Sequence, residues 1–404
     1  MINIAILGYG TVGSGVFEVI RTNQEIINKR IGDQLNIKYV LTLRDFPGDP
    51  VQEVITHDYE AIINDPEVDI VVEVIGGLEP AHTYVKRALE AGKCACTSNK
   101  ALVAEFGPEL MEIAAEKNVN FLFEASCGGG IPIIRAINES LTAEVIDEIT
   151  GILNGTTNYM MTKMSTEGSD FQAVLKEAQE KGYAEADPTA DVEGHDACRK
   201  IAILSSLAYG KFLNYEDVYT EGITKITSED MSYAKKMGKT IKLLGTSRQL
   251  GEDTYSAMVA PFLIAPENPL YHVNDVFNGV FVHGNMLGDS MFYGSGAGKL
   301  PTASAVVGDI VEAAKNLHDT IRTNWTNEPM KLIPVEEVEG IYFVRVKASA
   351  QAKAEQIFED AQTIRLEELP EECALITRKM KYGEYKEKIS SLNGDVLAMI
   401  RVKE

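Results

Sequence analysis

The sequence is short of cysteine and has no long apolar run, and each shortage excludes a class of protein. Its 404 residues hold 5 cysteines, an odd number without zinc-type CxxC pairs, which argues against a zinc module and against an extracellular disulfide framework. Apolar stretches such as residues 69–77 are interrupted by acidic residues and are far shorter than the roughly 20 residues of a membrane helix. The first residues lack the basic segment and the cleavage site of a secretory signal. We therefore expect a cytoplasmic protein that does not span a membrane.

Basic residues are also few for the number of acidic ones. The chain has 38 Lys and Arg against 60 Asp and Glu, a formal net charge of −22. A net negative charge of this size repels phosphate backbones and anionic lipid surfaces, so we expect neither nucleic acid nor a membrane as a partner. An apolar content of 45% is enough for a sizeable core, and the length suits two or three domains.

The first 30 residues follow the pattern strand, glycine turn, helix. Residues 2–7 (INIAIL) have the pattern of a buried strand, the motif GYGTVG follows at residues 8–13, and apolar residues then recur at helical spacing through residues 14–29. In this position a GxGxxG motif indicates a dinucleotide site, because its glycines allow a tight turn and let the pyrophosphate approach the helix N-terminus. The contacts expected with the cofactor are Gly8, Gly10, Thr11, Val12 and Gly13.

The alternation of strands and helices continues to about residue 135, which predicts a mostly parallel sheet with right-handed crossovers. Further strands are predicted at residues 37–43, 70–75, 94–98 and 120–124, and helices at residues 81–91 and 106–117. Arg44 and Asp45 follow the second strand. An Asp there suits the ribose diol of NAD and an Arg suits the 2′-phosphate of NADP, so the pattern leaves both cofactors open.

The pattern in the rest of the chain predicts two further domains. Residues 136–333 have the mixture typical of an α+β domain, with strands at 148–153, 254–264 and 279–286 and helices at 170–181, 195–210, 229–238 and 301–317. The last of these helices is expected to return to the first domain. Residues 338–404 follow the ferredoxin-like βαββαβ pattern, with strands at 341–348, 363–366, 374–380 and 396–402 and helices at 350–361 and 384–392. We therefore expect an α/β and α+β protein of three domains, at residues 1–135, 136–333 and 338–404.

An acidic loop followed by a helix holds the residues best suited to chemistry. The acids are Glu185, Asp187, Asp191, Glu193 and Asp196. They lack the alternation and the glycine of an EF-hand loop, although a divalent-cation site and a solvated acidic loop both remain alternatives. Asp196 and Lys200 lie four residues apart, on one face of the predicted helix. A partly desolvated lysine there could act as a general acid or base, and composition alone leaves a catalytic and a structural role equally open.

Cys127, in the segment EASCGGGIP, suggests a different chemistry. A nucleophilic thiol of the kind that aldehyde dehydrogenases use needs a His or a cationic neighbour, and no His lies near Cys127 in the sequence. The glycines that follow also fit a tight turn whose carbonyl oxygens hold a cation. A buried, unreactive cysteine is the third interpretation.

Several segments resemble the blocks of homoserine dehydrogenases, in that family's order and over essentially the whole chain: GYGTVGSGV, VEVIGG, TSNKALVA, EASCGGGIPII, GILNGTTNY, GYAEADPTADVEGHDACRKIAIL, GITKIT, IKLLG and GSGAGKLPTASAVVGDI. The resemblance implies a Rossmann-type domain and a catalytic domain. It also implies the reversible NAD(P)H-dependent reduction of L-aspartate 4-semialdehyde to L-homoserine, in the biosynthesis of threonine, methionine and isoleucine. A semialdehyde dehydrogenase that uses Cys127 and a non-catalytic nucleotide-sensing protein are the alternatives.

The same resemblance implies roles for individual residues. Lys200 corresponds to the proton donor to the developing alkoxide, and Asp196 to its partner, which also contacts the substrate. Glu185 corresponds to the residue that holds the ammonium group of a small amino-acid substrate. The same pocket would include Tyr183, Thr156 and Asp191.

Further cofactor contacts and a cation site are also implied by the resemblance. The cofactor residues beyond the glycine motif and Arg44 are Ser98, Lys100, Gly182 and Gly298, and we favour NADP over NAD. A monovalent cation, sodium, is expected between backbone oxygens of Glu124, Cys127, Gly129 and Ile131.

The tail from about residue 338 resembles the ACT-type regulatory domain of some family members. Its first strand-to-helix turn reads ASAQAK at residues 348–353, where ligand-binding ACT domains usually have Asp-x-Pro-Gly. Without a glycine the backbone cannot approach a ligand closely, so we expect threonine to inhibit weakly or not at all. We expect the tail to serve assembly instead, by pairing the edge of a sheet that contains residues 341–348 and 396–402 with a second copy. The expected assembly is a homodimer or a homotetramer.

Overall fold

The computed structural model describes residues 1–392 and 394–403, which form two units. The first unit consists of residues 1–144, 202–214 and 294–329, and the second of residues 145–201, residues 215–293 and the chain from residue 330 onward. The glycine motif therefore belongs to the first unit, and Lys200 with the acidic loop belongs to the second. Glu404, the last residue of the predicted tail, lies outside the described residues.

The first unit is built on a parallel sheet of short apolar strands: β1 (Ile2–Leu7), β2 (Leu35–Leu41), β3 (Ile55–Thr56), β4 (Ile70–Glu73), β5 (Cys94–Thr97) and β6 (Phe121–Leu122). They pair in parallel in the order β3-β2-β1-β4-β5-β6. Every residue of β4 and β5 is buried, as expected for a parallel sheet that helices cover on both faces. This is the strand order of a Rossmann fold, and it confirms the fold class predicted for the first domain.

The helices of this region differ from the predicted ones at their ends: α1 (Thr11–Thr22), α2 (Gln24–Ile31), α3 (Tyr59–Ile63), α4 (Ala81–Glu90), α5 (Lys100–Lys117) and α6 (Ile133–Arg135). The single helix predicted at residues 14–29 is wrong, because Asn23 leaves helical geometry (φ −110, ψ 21) and separates α1 from α2. Helix α5 begins before the predicted residue 106, because the Asn99 side chain accepts a hydrogen bond from the Leu102 amide and caps the helix at Lys100.

From residue 146 to residue 329 the helices are α7 (Gly155–Glu167), α8 (Phe171–Glu180), α9 (Thr189–Val192), α10 (His195–Tyr209), α11 (Ser228–Lys236) and α12 (Lys299–Lys315). The strands are β7 (Ile146–Ile152), β8 (Gly210–Phe212), β9 (Tyr219–Thr220), β10 (Thr240–Gly251), β11 (Thr254–Ile264), β12 (Phe277–Gly284), β13 (Gly288–Ser295) and β14 (Trp325–Pro329). An antiparallel ladder in the order β13-β12-β7-β10-β11 carries the second unit. Among the described residues, no helix combines the length and the apolar character needed to cross a membrane.

Helix α12 packs against α1 in the first unit. The contact is close because residue 15 is a glycine: a Cβ there would lie 2.9 Å from the Ala303 Cβ and 2.8 Å from the Lys299 carbonyl oxygen. Any larger side chain at residue 15 would separate the two helices.

The tail continues the sheet of the second unit. Its elements are β15 (Glu339–Lys347), α13 (Gln351–Ile357), β16 (Gln362–Ile364), β17 (Glu372–Ile376), β18 (Met380–Lys381), α14 (Tyr382–Ser390) and β19 (Val396–Val402). The long strands run in the order β19-β15-β17-β16, and β19 also pairs with β11 through Arg401 and Val402. Strand β15 therefore lies between β19 and β17, and β16 is the last strand in this order.

Candidate active site

Asp196 and Lys200 meet on the first turns of α10. The Lys200 Nζ donates hydrogen bonds to the Asp196 Oδ2 at 2.7 Å and to the Leu153 carbonyl oxygen at 2.8 Å. Both residues are buried, with exposed fractions of 6% for Asp196 and 8% for Lys200. Two charged groups taken out of water require such mutual contacts, which fix the lysine nitrogen in place.

Asn154 connects this pair to the acidic loop. Its side-chain oxygen accepts a hydrogen bond from the Thr157 amide at 2.8 Å and caps α7. Its Nδ2 donates to the Asp191 Oδ1 at 2.7 Å and to the Asp196 Oδ2 at 2.9 Å. Asn154 was not predicted as a site residue from the sequence, although an Asn directly before a helical pattern is an N-cap signal that could have identified it.

The other expected substrate residues lie on the more exposed part of the acidic loop. The Thr156 Oγ1 donates to the Tyr183 carbonyl oxygen at 2.6 Å, and the Tyr183 ring packs edge-on against Tyr159. The Glu185 side chain is exposed, while the Glu185 carbonyl oxygen accepts a hydrogen bond from Gln179 at 3.0 Å. Thr156 and Tyr183 are thus brought together, and Asp191 joins Asp196 and Lys200 through Asn154.

The five acids do not act as one group. The Asp187 Oδ1 accepts hydrogen bonds from the amide and the hydroxyl of Thr189, at 3.1 and 2.6 Å, just before and at the start of α9. Asp191 and Asp196 are held by Asn154, as described above. Within the part of the chain that the structure describes, no three His, Cys, Asp or Glu side chains are grouped so that they could hold a metal ion.

The glycine motif has the geometry that a dinucleotide requires. Gly8 has a φ of +107, and a Cβ there would lie 3.0 Å from the Val74 carbonyl oxygen, while a Cβ at Gly13 would lie 2.1 Å from the Gly8 carbonyl oxygen. Around Gly10, by contrast, no described atom beyond the adjoining residues 9–11 lies within 4 Å of the Cβ position. Helix α1 begins at Thr11, so its unpaired amides face the open space where a pyrophosphate would bind. The residues present therefore fit the cofactor.

The other expected cofactor residues are divided between the units. Arg44 is exposed after the end of β2, Ser98 and Lys100 lie at the end of β5 and the start of α5, and Gly298 (φ +119) caps α12. Those four belong to the first unit with the glycine motif, whereas Gly182 (φ +74) belongs to the second.

A buried acid holds the turns after two central strands of the first unit. The Glu73 Oε1 accepts hydrogen bonds from the amides of Ile75 and Gly76 at 2.7 and 3.1 Å, and the Glu73 Oε2 accepts one from the Thr97 hydroxyl at 2.5 Å. The carboxyl ends of β4 and β5 are joined in this way, at the edge of the sheet where ligands of this fold bind.

The turn from Glu124 to Ile131 is tightly packed within the first unit. Gly128 and Gly129 have φ values of +71 and +54, and a Cβ at Gly129 would lie 2.5 Å from the Gly296 carbonyl. The Gly130 amide donates to the Ser295 carbonyl oxygen at 3.0 Å. The conformation of this turn therefore depends on having no side chain at residue 129.

Two buried carboxylates support the same turn. The Glu124 side chain accepts hydrogen bonds from the amides of Ile134 and Arg135, both at 2.8 Å. The Asp309 Oδ2 accepts one from the Glu124 amide at 2.8 Å, and the Asp309 Oδ1 pairs with the Arg135 guanidinium at 2.9 Å. Burial raises the pKa of Glu124 and, more strongly, the pKa of Asp309. The two groups brace a turn whose carbonyl oxygens are the expected cation ligands.

Cys127 is fully buried, with an exposed fraction of 0%. A thiol that attacks an aldehyde must be reached by the substrate, so this burial favours a structural cysteine over a nucleophile.

Two family profiles match the chain. The profile described as "Homoserine dehydrogenase, NAD binding domain" matches residues 8–124, and the profile described as "Homoserine dehydrogenase" matches residues 132–311. The first match contains the glycine motif, and the second contains Asn154, Asp196 and Lys200.

Relatives agree with these profiles over most of the chain. The homoserine dehydrogenase of Bacillus subtilis is 45% identical over 320 residues, which are 78% of this chain and 73% of that protein. The structure of a homoserine dehydrogenase from Thiobacillus denitrificans covers 100% of this chain and 98% of its own, with 36% identity and a TM-score of 0.91. A hyperthermophilic archaeal homoserine dehydrogenase in complex with NADPH covers 77% of this chain and 97% of its own, with 29% identity and a TM-score of 0.65. The chain therefore belongs to the homoserine dehydrogenase family and is an oxidoreductase with an NAD-binding domain.

Proposed function

We propose that this chain interconverts L-aspartate 4-semialdehyde and L-homoserine with Lys200 as the proton donor. In the direction of reduction, a hydride adds to the aldehyde carbon and a proton adds to the aldehyde oxygen, which gives the primary alcohol. A nicotinamide dinucleotide supplies the hydride when it is bound. The observation that carries the proposal is the buried Lys200 nitrogen, held at 2.7 Å from Asp196 and at 2.8 Å from the Leu153 carbonyl in a chain of this family.

Asp196 orients the proton donor in this proposal. Its Oδ2 accepts hydrogen bonds from both Lys200 and Asn154, so the lysine nitrogen cannot turn away without losing a buried charge-assisted contact. A general acid is effective only when it is held within hydrogen-bonding reach of the atom that it protonates. In the direction of oxidation, Lys200 receives the proton from the homoserine hydroxyl.

The acidic loop binds the ammonium group of the substrate. An amino-acid substrate carries a positive charge that needs a carboxylate partner once water is displaced, and Glu185 is the carboxylate assigned to it. Tyr183, Thr156 and Asp191 complete the substrate pocket, and Asp196 also contacts the substrate. The support for this assignment is that Thr156 holds the Tyr183 backbone and Asn154 holds Asp191, so the loop is attached to the first turn of α7.

The cofactor is assigned to the glycine motif, with NADP favoured over NAD. Arg44 follows β2, where a guanidinium suits a 2′-phosphate, and an archaeal relative binds NADPH. Ser98, Lys100, Gly182 and Gly298 are the further cofactor contacts in the proposal.

Sodium is proposed at the backbone oxygens of Glu124, Cys127, Gly129 and Ile131. The support is the positive φ at Gly128 and Gly129, which lets a short turn direct carbonyl oxygens to one point.

The remaining assignments concern the tail and the assembly. The tail is proposed to be an ACT-type domain. The order β15, α13, β16, β17, α14, β19, interrupted only by the two-residue strand β18, supports this together with the strand order β19-β15-β17-β16. A three-domain division at residues 1–135, 136–333 and 338–404, a homodimer or homotetramer, and a cytoplasmic location belong to the same proposal.

The experiment that tests the function is turnover of Lys200→Ala. Loss of a positioned proton donor lowers rates by about 10²- to 10⁴-fold, so kcat for homoserine oxidation should fall in that range. The affinity for NADPH, measured by fluorescence titration, should stay close to that of the unmodified protein, because Lys200 acts on the substrate oxygen.

Lys176→Ala is the matched control, since Lys176 is an exposed lysine on α8. It should leave both kcat and cofactor affinity unchanged. A Lys200→Ala protein that keeps most of its kcat would contradict the assignment of Lys200.

A further inference from the structure

Lys242 on β10 is a buried lysine with only neutral hydrogen-bond acceptors. The residue is 1% exposed. Its Nζ donates to the Asn158 Oδ1 at 3.0 Å, to the Val273 carbonyl oxygen at 2.6 Å and to the Asn274 Oδ1 at 2.9 Å. In residues 1–392 and 394–403, Lys242 forms no ion pair. A buried ammonium without a carboxylate is costly, so its presence requires an explanation.

The three acceptors tie β10 to α7 and to the segment that runs along α7. Asn158 is on α7, and its Nδ2 also donates to the carbonyl oxygens of Val273 and Phe277 at 3.2 and 3.0 Å. Nearby, the Asp275 amide donates to the Thr162 hydroxyl at 3.1 Å. The ammonium of Lys242 therefore connects β10 to both α7 and residues 273–277, which are also hydrogen-bonded to each other.

Helix α7 is also the element that carries Asn154. Asn158 lies one helical turn after Asn154, and its amide donates to the Asn154 carbonyl oxygen at 3.2 Å. Asn154 in turn holds Asp196, the partner of Lys200. A shift of α7 along its axis would therefore move the hydrogen bonds that orient the proposed proton donor.

We propose that Lys242 is a positioning residue for the dehydrogenase reaction, because its ammonium fixes α7 and, through Asn154, the Asp196–Lys200 pair. The proposal rests on the proposed role of Lys200. In this proposal Lys242 acts through Asn158 and Asn154, and not by direct contact with the substrate or the cofactor.

The ammonium form of Lys242 is sensitive to pH near neutrality. Burial lowers its pKa to about 8, and the charge of Asp275 opposes that shift. Three charged groups on elements packed against β10 have other partners: Lys163 pairs with Glu167, Asp230 with Arg345, and Glu148 with Arg248 and Lys403. Since the folded-state pKa is lowered, the charged form is present below about pH 8 and is lost as the pH rises through that value. The contacts that hold α7 should weaken in the same range.

The substitution Asn274→Asp tests the pH dependence of the Lys242 contacts and leaves the core intact. Asn274 is exposed, and a carboxylate oxygen at 2.9 Å from the Lys242 nitrogen would raise the lysine pKa by about 1 unit or more. The alkaline decline of kcat/KM for homoserine, measured at saturating cofactor, should begin near pH 8 in the unmodified protein. In Asn274→Asp it should move upward by about one pH unit.

Asn285→Asp is the control for the added charge. Asn285 is exposed and accepts a hydrogen bond from the Val145 amide, which an aspartate preserves. Its pH profile should superpose on that of the unmodified protein. Superposed pH profiles of Asn274→Asp and the unmodified protein would overturn the proposed role of Lys242. The proposed role of Lys200 would still hold in that case, provided that Lys200→Ala loses turnover.

A second test separates positioning from general stability. Lys242→Met should lower kcat for homoserine at least tenfold and leave KM for NADP unchanged. Lys93→Met is the matched control, because Lys93 is a buried lysine of the first unit whose Nζ donates to the carbonyl oxygens of Asp65 and Val68 at 2.7 and 2.9 Å. It should lose thermal stability without the loss in kcat. Equal losses of kcat in both variants would overturn the proposal, and if Lys242→Met does not fold, the Asn274→Asp profile decides.

Discussion

Two buried lysines of the second unit are held in opposite ways. Lys200 has a carboxylate at 2.7 Å, four residues before it on the same helix. Lys242 has three neutral oxygens, supplied by residues 84, 31 and 32 positions away. A lysine beside a carboxylate keeps its charge at lower cost than a lysine among neutral groups. Burial among neutral groups lowers the pKa of Lys242 to about 8.

At the same scale, Glu185→Gln is expected to raise KM for homoserine. The substitution keeps the shape of the side chain but removes the charge that we propose to pair with the ammonium group, and a charge-assisted hydrogen bond contributes about 1.5–3 kcal/mol. This corresponds to an increase in KM of about 10- to 150-fold, measured by steady-state kinetics at saturating cofactor.

Glu180→Gln provides the control, because Glu180 is an exposed acid at the end of α8 that pairs with Lys176. It should leave KM unchanged. An unaltered KM in Glu185→Gln would mean that another residue binds the substrate ammonium.

Single glycines determine the geometry of turns and helix ends in the first unit. Some of them only allow a left-handed backbone, as Gly32 does at the end of α2, where φ is +80 and no described atom beyond the adjoining residues 31–33 lies within 4 Å of the Cβ position. Others also allow close packing, as Gly129 does against Gly296. The two kinds of glycine should therefore respond differently to a methyl group.

Gly129→Ala should destabilise the protein more than Gly32→Ala. Each substitution places an alanine in the left-handed region, which costs about 1–2 kcal/mol. Gly129→Ala adds a contact at 2.5 Å with backbone atoms that cannot move aside, so a further cost of about 1–3 kcal/mol is expected. Urea denaturation of both variants measures the difference, and equal midpoints would show that the turn can relax away from Gly296.

Across the whole molecule, the tail is attached to the rest of the second unit by buried charges as well as by strand pairing. The Arg345 Nε lies 3.1 Å from the Asp230 Oδ1 on α11, and the Arg401 Nη1 lies 2.7 Å from the Glu221 Oε2. Burial raises the pKa of Asp230, while Arg345 lowers it. Such contacts favour a tail that folds together with the rest of the sheet of the second unit.

Arg345→Met should therefore destabilise the second unit strongly. It removes the cation from a carboxylate that is 1% exposed, and breaking a buried pair in this way costs about 3–5 kcal/mol. Lys347→Met, two residues along the same strand, removes only a half-exposed pair with Asp395 and should cost at most about 1 kcal/mol. Thermal unfolding of both variants by calorimetry checks the prediction, and similar melting temperatures would show that the tail contributes little to the stability of this unit.

Local patterns in the sequence were sufficient to predict much of the fold of the first unit and one contact in the proposed active site, the Asp196–Lys200 pair. The apolar strands and the GxGxxG motif predict the parallel sheet and the position of the glycine turn, because both depend on residues close together in the chain. The Asp196–Lys200 contact also follows from sequence, since residues four apart on a helix share a face. The N-cap role of Asn154 was available from the same kind of local signal.

Only the tertiary structure decided the contacts that join distant segments. Asn154 reaches Asp191 and Asp196 from 37 and 42 residues away, Lys242 reaches Asn158 from 84, and Arg401 reaches Glu221 from 180. Likewise, the pairing of β19 with β11 joins the tail to the sheet of the second unit. Periodicity and spacing specify which face of an element is apolar, but the partner of a buried polar group is set by which distant backbone and side-chain atoms packing brings within about 3 Å of it.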